Sequence, residues 1–250
     1  MIVSDFVWVS RQRSNGFDYT FYPYSKATGG VYINPKSNIK SLTELENKRL
    51  GIAGGPVSKT WLITRAYTKS KYNIDLKSQS KTVFAAPPIL NYKLLDNSID
   101  ATINFWHFNA KLEAKGMQKL ISIEDMLLEL GVKYDIPLIG WVFSEEFAKK
   151  NKSMVNGFLQ ASYEAKKLLS TDDLQWNKIK KLMKVKDDKT FQALKNGYIK
   201  GIPKDFGTNE LKSAKKIFKI LAKEGGEKLV GKNKNFQDGT FWEFNPNITW

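Results

Sequence analysis

Short apolar runs alternate with segments of helical period along the first 143 residues, and Gly, Pro, Asn and Asp punctuate the joins. Ser41 to Asn47 predicts a short helix, with Ser41 and Glu44 spaced as a capping box and Asn47 suited to the left-handed turn that ends it. Leu50 to Ala53 is a buried strand by length, Gly54-Gly55-Pro56 a loop, and Ser58 to Lys69 a helix with Leu62, Ile63, Ala66 and Tyr67 on its apolar side. Asp18 to Tyr24, Gly30 to Ile33, Val83 to Ala85, Ala101 to Ile103 and Ile136 to Phe143 predict further strands. Residues 6–16 read as a loop entering a short helix, and further helices are expected after Pro87-Pro88 to Leu95 and after His107 to Lys115. Beyond residue 143 the pattern turns helical. Ser144 and Ser153 stand as caps, a Val155, Phe158, Leu159, Ser162, Leu168, Leu169 stripe follows, and later helices fit 174–183, 189–199 and 209–223.

Strand–helix alternation implies an α/β fold, a mainly parallel sheet with helices on both faces. Ligands of such sheets sit at the carboxyl ends of strands, which here are the loops 4–8, 54–61 and 104–107. The 250 residues, 42% hydrophobic, suffice for one large domain or two small ones. No apolar run approaches the roughly 20 residues that span a bilayer. Cysteine is absent, which removes disulfides, thiolate chemistry and thiolate metal ligands. The net charge of +15 raises the question of nucleic acid, but only Arg11, Arg13, Arg49 and Arg65 are arginines. Base and phosphate readers favour the bidentate guanidinium, so scattered lysine describes a solvated surface instead.

Candidate chemistry gathers at the strand ends. Gly54, Gly55 and Pro56 let backbone approach a ligand, and Ser58, Lys59, Thr60 and Trp61 open a helix whose first amides attract anions. A nucleotide-phosphate loop is excluded, because Ala53 and Ser58 occupy the positions where it requires glycine. Asp5 and Trp8 follow the first strand, and Arg11 or Arg13 could reach an anionic head group from the helix after it. Asn104 offers a donor and an acceptor, Trp106 a stacking face, and His107 is the sole histidine, too isolated for a metal site or a triad. No paired carboxylates and no Gly-x-Ser-x-Gly elbow supply catalysis. Trp141 is expected to pack in the core.

Three blocks carry a family resemblance. Ser41 through Pro56 resembles the helix–strand–glycine-loop segment of solute-binding proteins serving ABC importers, in the class that binds nitrate, aliphatic sulfonates, taurine and thiamine precursors. Leu94-Leu95-Asp96-Asn97-Ser98-Ile99-Asp100-Ala101 is similar to that class's turn from helix into strand, and Ile2-Val3-Ser4-Asp5 to an earlier strand facing the cleft. Asn47 and Asn97 stand where glycine is typical, and Asn tolerates the same positive φ.

The resemblance implies a periplasmic-binding-protein-like (type II) fold with a cleft between two lobes, residues 1–35 plus 136–250 and residues 36–135, crossing near Tyr32 and Asp135. It further implies a monomer, located in the periplasm or otherwise outside the cytoplasm, that needs no cofactor or metal and delivers a small solute to an ABC permease. Proteins of the class carry an export signal and an upstream segment, so Met1 leading straight into a strand gives the expectation that the first lobe's opening elements are missing. The thiamine-pyrimidine synthase relatives carry a cysteine-rich motif, which a chain without cysteine lacks. A dehydratase-like enzyme on the same fold and a basic nucleic-acid binder are the competing functions.

Overall fold

A computed structural model of the chain describes residues 1–133 and 136–250. It begins β1 (Ile2–Asp5), α1 (Phe6–Ser14), β2 (Tyr19–Ser25), β3 (Gly30–Ile33), β4 (Arg49–Ile52), α2 (Lys59–Tyr72), α3 (Leu76–Gln79), β5 (Lys81–Phe84) and α4 (Pro87–Leu95). There follow β6 (Ala101–Asn104), α5 (Trp106–Ala114), β7 (Gln118–Ser122), α6 (Ile123–Glu129) and β8 (Ile139–Ser144). Helices α7 (Glu145–Lys150), α8 (Lys152–Thr171), α9 (Asp173–Ile179), α10 (Asp188–Lys200) and α11 (Thr208–Val230) complete it.

The strands form two sheets, ordered β1-β8-β2 and β5-β4-β6-β3-β7. The α/β architecture agrees with the sequence pattern, but the expectation of mainly parallel sheets needs correction. Strands β1 and β2 both run antiparallel to β8, and β3 runs against its neighbours β6 and β7. The parallel pairs are β4 with β5 and β4 with β6. The cause is connectivity: β3 arrives directly from the other sheet with no helical crossover to turn it round, and it is inserted between β6 and β7. The carboxyl ends of β4, β6 and β7 therefore lie at the same edge as the amino end of β3.

Membership of β3 in the five-stranded sheet places the first crossing between Ser25 and Gly30 rather than near Tyr32. The second expected crossing, at Asp135, lies outside the described residues. One hydrophobic cluster joins the two sheets, running from Phe6, Phe21 and Val142 through Phe218 and Leu221 to Leu62, Ile52 and Ile103. Helix α2 packs on α6 and α11. Arg65 and Lys69 of α2 pair with Glu224 of α11 at 3.5 and 2.9 Å, and both also pair with Asp75. Burial works against the Asp75 charge, yet hydrogen bonds from Arg65, the Lys77 amide and Lys69 hold its carboxyl well below the usual range.

Several caps differ from the sequence expectation. Residues Leu42–Leu45 form a 3-10 turn, so Ser41 makes no cap: its hydroxyl meets Thr43, and Glu44 receives the Lys40 amide. The capping box forms at Ser122 and Asp125 instead. Ser153 lies inside α8, which begins at Lys152 with Asn151 before it, and no loop separates β1 from α1. Asn47 and Asn97 do adopt positive φ, at 58° and 63°. The buried stripe of α8 is Val155, Leu159, Tyr163 and Lys166, while Phe158 and Leu168 face solvent.

Lys166 is 1% exposed, and its ammonium lies 3.9 Å from the Tyr24 ring centroid and 4.8 Å from that of Tyr163. Its hydrogen-bond acceptors belong to Ser162. Burial pulls its pKa from the ordinary 10.5 down to about 7. The native state thus binds fewer protons than the unfolded chain in that window. Stability is greatest above the unfolded value and is lost as pH falls toward the folded one. Lys166→Met is expected to raise stability by about 2 kcal/mol at pH 7 and to flatten its rise between pH 7 and pH 9.5. Urea denaturation across that range checks both effects. A second prediction concerns the first crossing. A Cβ on Gly29 (φ +100°) would lie 2.2 Å from the Asn104 carbonyl oxygen, whereas one on Gly55 (φ +78°) would meet nothing within 4 Å. Gly29→Ala should cost about 3 kcal/mol and Gly55→Ala about 1 kcal/mol in the same assay.

Candidate functional site

The edge where β4, β6 and β7 end and β3 begins brings together some of the expected residues and separates others. Asp5 is the N-cap of α1, its Oδ1 accepting from the Trp8 amide at 2.9 Å. Its Oδ2 meets Lys59 Nζ at 2.9 Å. Lys59 opens α2, so this ion pair links the β1–α1 junction of the smaller sheet to the glycine loop of the larger one. Gly54 and Gly55 carry φ of +82° and +78°, and Pro56 is exposed at the tip of that turn. A Cβ on Gly54 would lie 3.2 Å from Ser58 and 3.3 Å from Phe105, so glycine is what lets the loop fold onto the start of α5. Ser58 precedes α2 without capping it, its hydroxyl joined to Thr60 at 3.0 Å.

Two expected ligand-facing groups, Trp61 and Asn104, are turned into the protein, and Trp8 is stacked on a neighbour. Trp61 is 1% exposed within the main core, because α2 is covered on several sides and its third residue faces inward. Asn104 is fully buried and its amide is consumed internally: Nδ2 donates to Pro87 O and Asn91 Oδ1, and Oδ1 accepts from the Phe105 amide. Trp8 stacks on Tyr19 at 5.5 Å, with 30° between the rings. Trp8 and Trp106 are thus engaged with different neighbours. Arg13 is held by Glu145 and the Tyr19 carbonyl, and Arg11 reaches the Lys228 carbonyl. Trp141 is only partly buried, at the edge of a second cluster, and donates to Ser162.

Trp106 opens α5 and lies against Gly197 of α10, where a Cβ would come 3.0 Å from the indole. It lines a cavity of about 400 Å³ at this same sheet edge. The walls come from the crossing at 26–29, from Tyr32, from one face of α5, from the β7–α6 junction, from residues 132, 133 and 136, and from α10. The glycine loop is not among its lining residues. His107 packs with Phe105 and Phe108, and burial, aided by Lys111, keeps its pKa below the ordinary value. A neutral imidazole at pH 7 gives no cation for an anion to meet. Among the described residues no cluster of His, Asp and Glu could hold a metal ion.

A family model described as NMT1/THI5 like matches residues 23–172, more than half of the chain. The chain belongs to the NMT1/THI5-like family. Comparison with curated proteins returns no match. Among solved structures, this NMT1/THI5-like chain is similar to the periplasmic aliphatic sulphonate binding protein SsuA of Escherichia coli, with 14% identity and a TM-score of 0.75, covering 99% of this chain and 77% of that one. It is likewise similar to the alkanesulfonate-binding SsuA of Xanthomonas axonopodis pv. citri bound to MOPS, with 12% identity, TM-score 0.72, and 96% and 79% covered. A third is the zinc-bound ligand-binding component of an ABC-type import system from Staphylococcus aureus, with 12% identity, TM-score 0.67, and 96% and 78% covered. These neighbours are solute-binding proteins rather than enzymes, and at such identities the likeness is one of fold.

Sequence reasoning missed Asn109, Glu113 and Tyr32. The signal existed for the first two: with Trp106 they recur at i, i+3 and i+7 on α5, one helical face beginning at a strand end. For the NMT1/THI5-like chain the ion pair gives the test of local geometry. Asp5→Asn keeps an acceptor for the Trp8 amide and removes only the charge, so it should cost under about 1 kcal/mol. Asp5→Ala also removes the cap and should cost about 1 kcal/mol more, read by urea denaturation.

Proposed function

We propose that the chain is the solute-binding component of an ABC importer, capturing a small organic or anionic solute of the sulfonate, nitrate or thiamine-precursor kind. The lobes of this reading are residues 1–25 with 136–250 and residues 30–133, each holding one sheet. The solute enters the cavity beside Trp106, and the lobes close over it by bending at the connections between them. The protein then meets a membrane permease from outside the cytoplasm, as a monomer. Among the described residues no helix is long and apolar enough to cross a membrane.

The observation that carries the proposal is the position of the cavity. It is bounded by the crossing at 26–29 and by residues 132, 133 and 136 on either side of the second expected crossing. Its other walls include α5, Tyr32 and the β7–α6 junction from one lobe and α10 from the other. A bend at the connections therefore changes its shape directly, which couples occupancy to closure. Family membership and the solute-binding folds around it support the same reading.

Trp106 supplies the aromatic wall. Trp106→Ala should weaken binding of a captured solute by about 1–3 kcal/mol, measured by titration calorimetry across alkanesulfonates, nitrate and aminopyrimidines. Unchanged affinity in that variant would take the solute away from this cavity. Binding of none of these solutes by the parent protein would remove the solute classes named.

A further inference from the structure

Residues 174–186 run Leu-Gln-Trp-Asn-Lys-Ile-Lys-Lys-Leu-Met-Lys-Val-Lys, with five lysines and no acidic residue. Helix α9 covers the start of this stretch, and the chain keeps turning helically beyond it. The Met183 amide donates to the Ile179 carbonyl at 3.1 Å and the Lys184 amide to that of Lys181 at 3.2 Å. Lys184 then ends the turn at a φ of +52°. At about 3.6 residues per turn, Trp176, Ile179 and Met183 fall on one side, and Leu174, Lys178, Lys181 and Leu182 on the other. The inward side is fixed by its indole. Trp176 is 3% exposed, its ring lies edge-on to Tyr198 and Phe191 of α10 at 5.5 and 6.4 Å, and its Nε1 donates to the Leu169 carbonyl at 2.6 Å.

With Trp176 held, the opposite side must face water. Leu174 is 68% exposed and Leu182 78%, the highest value among the large hydrophobic residues described. The charge beside them is positive and largely uncommitted. Lys180 pairs with Asp188 at 2.7 Å and Lys178 meets the neutral Gln175, whereas among the described residues no carboxylate pairs with Lys181, Lys184 or Lys186. The acidic residues that bound the stretch are engaged: Asp172 accepts from the Leu174 amide, Asp173 pairs with Lys195, and Asp187 caps α10. One exposed leucine needs no explanation, but two on one helical side among free ammonium groups form an apolar and cationic surface together.

We infer that this face docks on an anionic phospholipid surface. Leucine tips need no complementary groove when the partner is a fluid interface, and ammonium groups on flexible stems suit phosphates without fixed positions. A folded acidic protein presents fixed carboxylates, for which the arginine fork is the better match, and residues 174–186 contain no arginine. The attachment is shallow: one side of a short helix rests on the headgroups and crosses nothing. It does not rest on the cavity being the solute site. Helix α10 stands between the two, meeting Trp176 through Phe191 and Tyr198 and lining the cavity through Asn196 and Gly197.

Co-sedimentation of the full chain with vesicles tests it, using phosphatidylcholine alone and phosphatidylcholine with about one quarter phosphatidylglycerol. The anionic vesicles are expected to bind at least about tenfold more tightly than the neutral ones, and added salt to weaken that binding. Leu174→Ser with Leu182→Ser, and separately Lys181→Gln with Lys184→Gln and Lys186→Gln, should each lower affinity for anionic vesicles at least about tenfold. Lys212→Gln with Lys219→Gln and Lys223→Gln removes the same charge from exposed positions of α11 and should change it less than about threefold. Melting temperatures report that each variant is folded. No preference for anionic vesicles, an unchanged leucine variant, or equal losses from the two lysine sets overturns the inference, the last because the attraction would then belong to the net charge of the whole chain. Polyglutamate bound as tightly as the vesicles, without need of the leucines, overturns it in favour of an acidic protein. Solute binding is read separately, so each of these outcomes leaves the proposed function standing.

Discussion

The passage of the chain from one sheet to the other depends on two residues having no side chain. Gly29, at a φ of +100°, lies where a Cβ would overlap the Asn104 carbonyl oxygen, and a Cβ on Gly30 would sit 2.6 Å from the Ile121 carbonyl oxygen. Strand β3 can enter between β6 and β7 only because the chain is at its thinnest there. The consequence reaches the site. Inserted this way, β3 begins where β6 ends, so the crossing presses against the first turn of α5. Asn109 then bridges the carbonyls of Gly30 and Asn104, tying the crossing to the helix. The connection between the sheets and the cavity wall are the same stretch of backbone.

The sequence made local constraints legible and tertiary ones illegible. Asn47, Asn97, Gly54 and Gly55 were readable because positive φ is a property of one residue and its immediate neighbours. The helix ending at Leu95 and the Ser144 cap were readable for the same reason, although that helix takes in Pro87 and Pro88 as its first residues. The direction of Trp61 was not, since α2 is covered by α11, some 150 residues later in the chain. Asn104 looked like a ligand group until its partner Asn91 was in place. Strand β7, with Gln118 and Lys119 at its start, has too weak an alternation to announce itself and borrows its order from β3. Ser41–Glu44 and Ser122–Asp125 share one spacing, yet only the second forms a box, because the first introduces a 3-10 turn.

Charge shows the same division. Most of the +15 is carried by exposed lysines, some in i,i+4 pairs such as Lys149 with Glu145 and Lys150 with Glu146, which contribute little to stability and nothing to specificity. The informative charges are those that meet across long separations. Lys59 finds Asp5, and Arg65 and Lys69 find Glu224, whose side chain is only 7% exposed. All three cations lie on α2. That helix belongs by sequence to the larger sheet, yet Asp5 and Glu224, two of its ionic partners, belong to elements that flank the smaller one. Removing one member of the buried set would strand the others, so α2 and α11 are held as a unit.

This asymmetry constrains any motion between the two sheets. Along α2 and α11 the contact is apolar, continuous with the main core, and reinforced by the buried ion pairs. Along α5 and α10 the helices also pack closely, with the Trp106 indole edge against Gly197 and the 400 Å³ cavity beside it. Separation costs most where buried apolar area and paired charges would be exposed, so the contact of α2 with α11 is the more expensive one to part. The Asp5–Lys59 pair, part-exposed at the opening of α2, adds a further tie between elements of the two sheets.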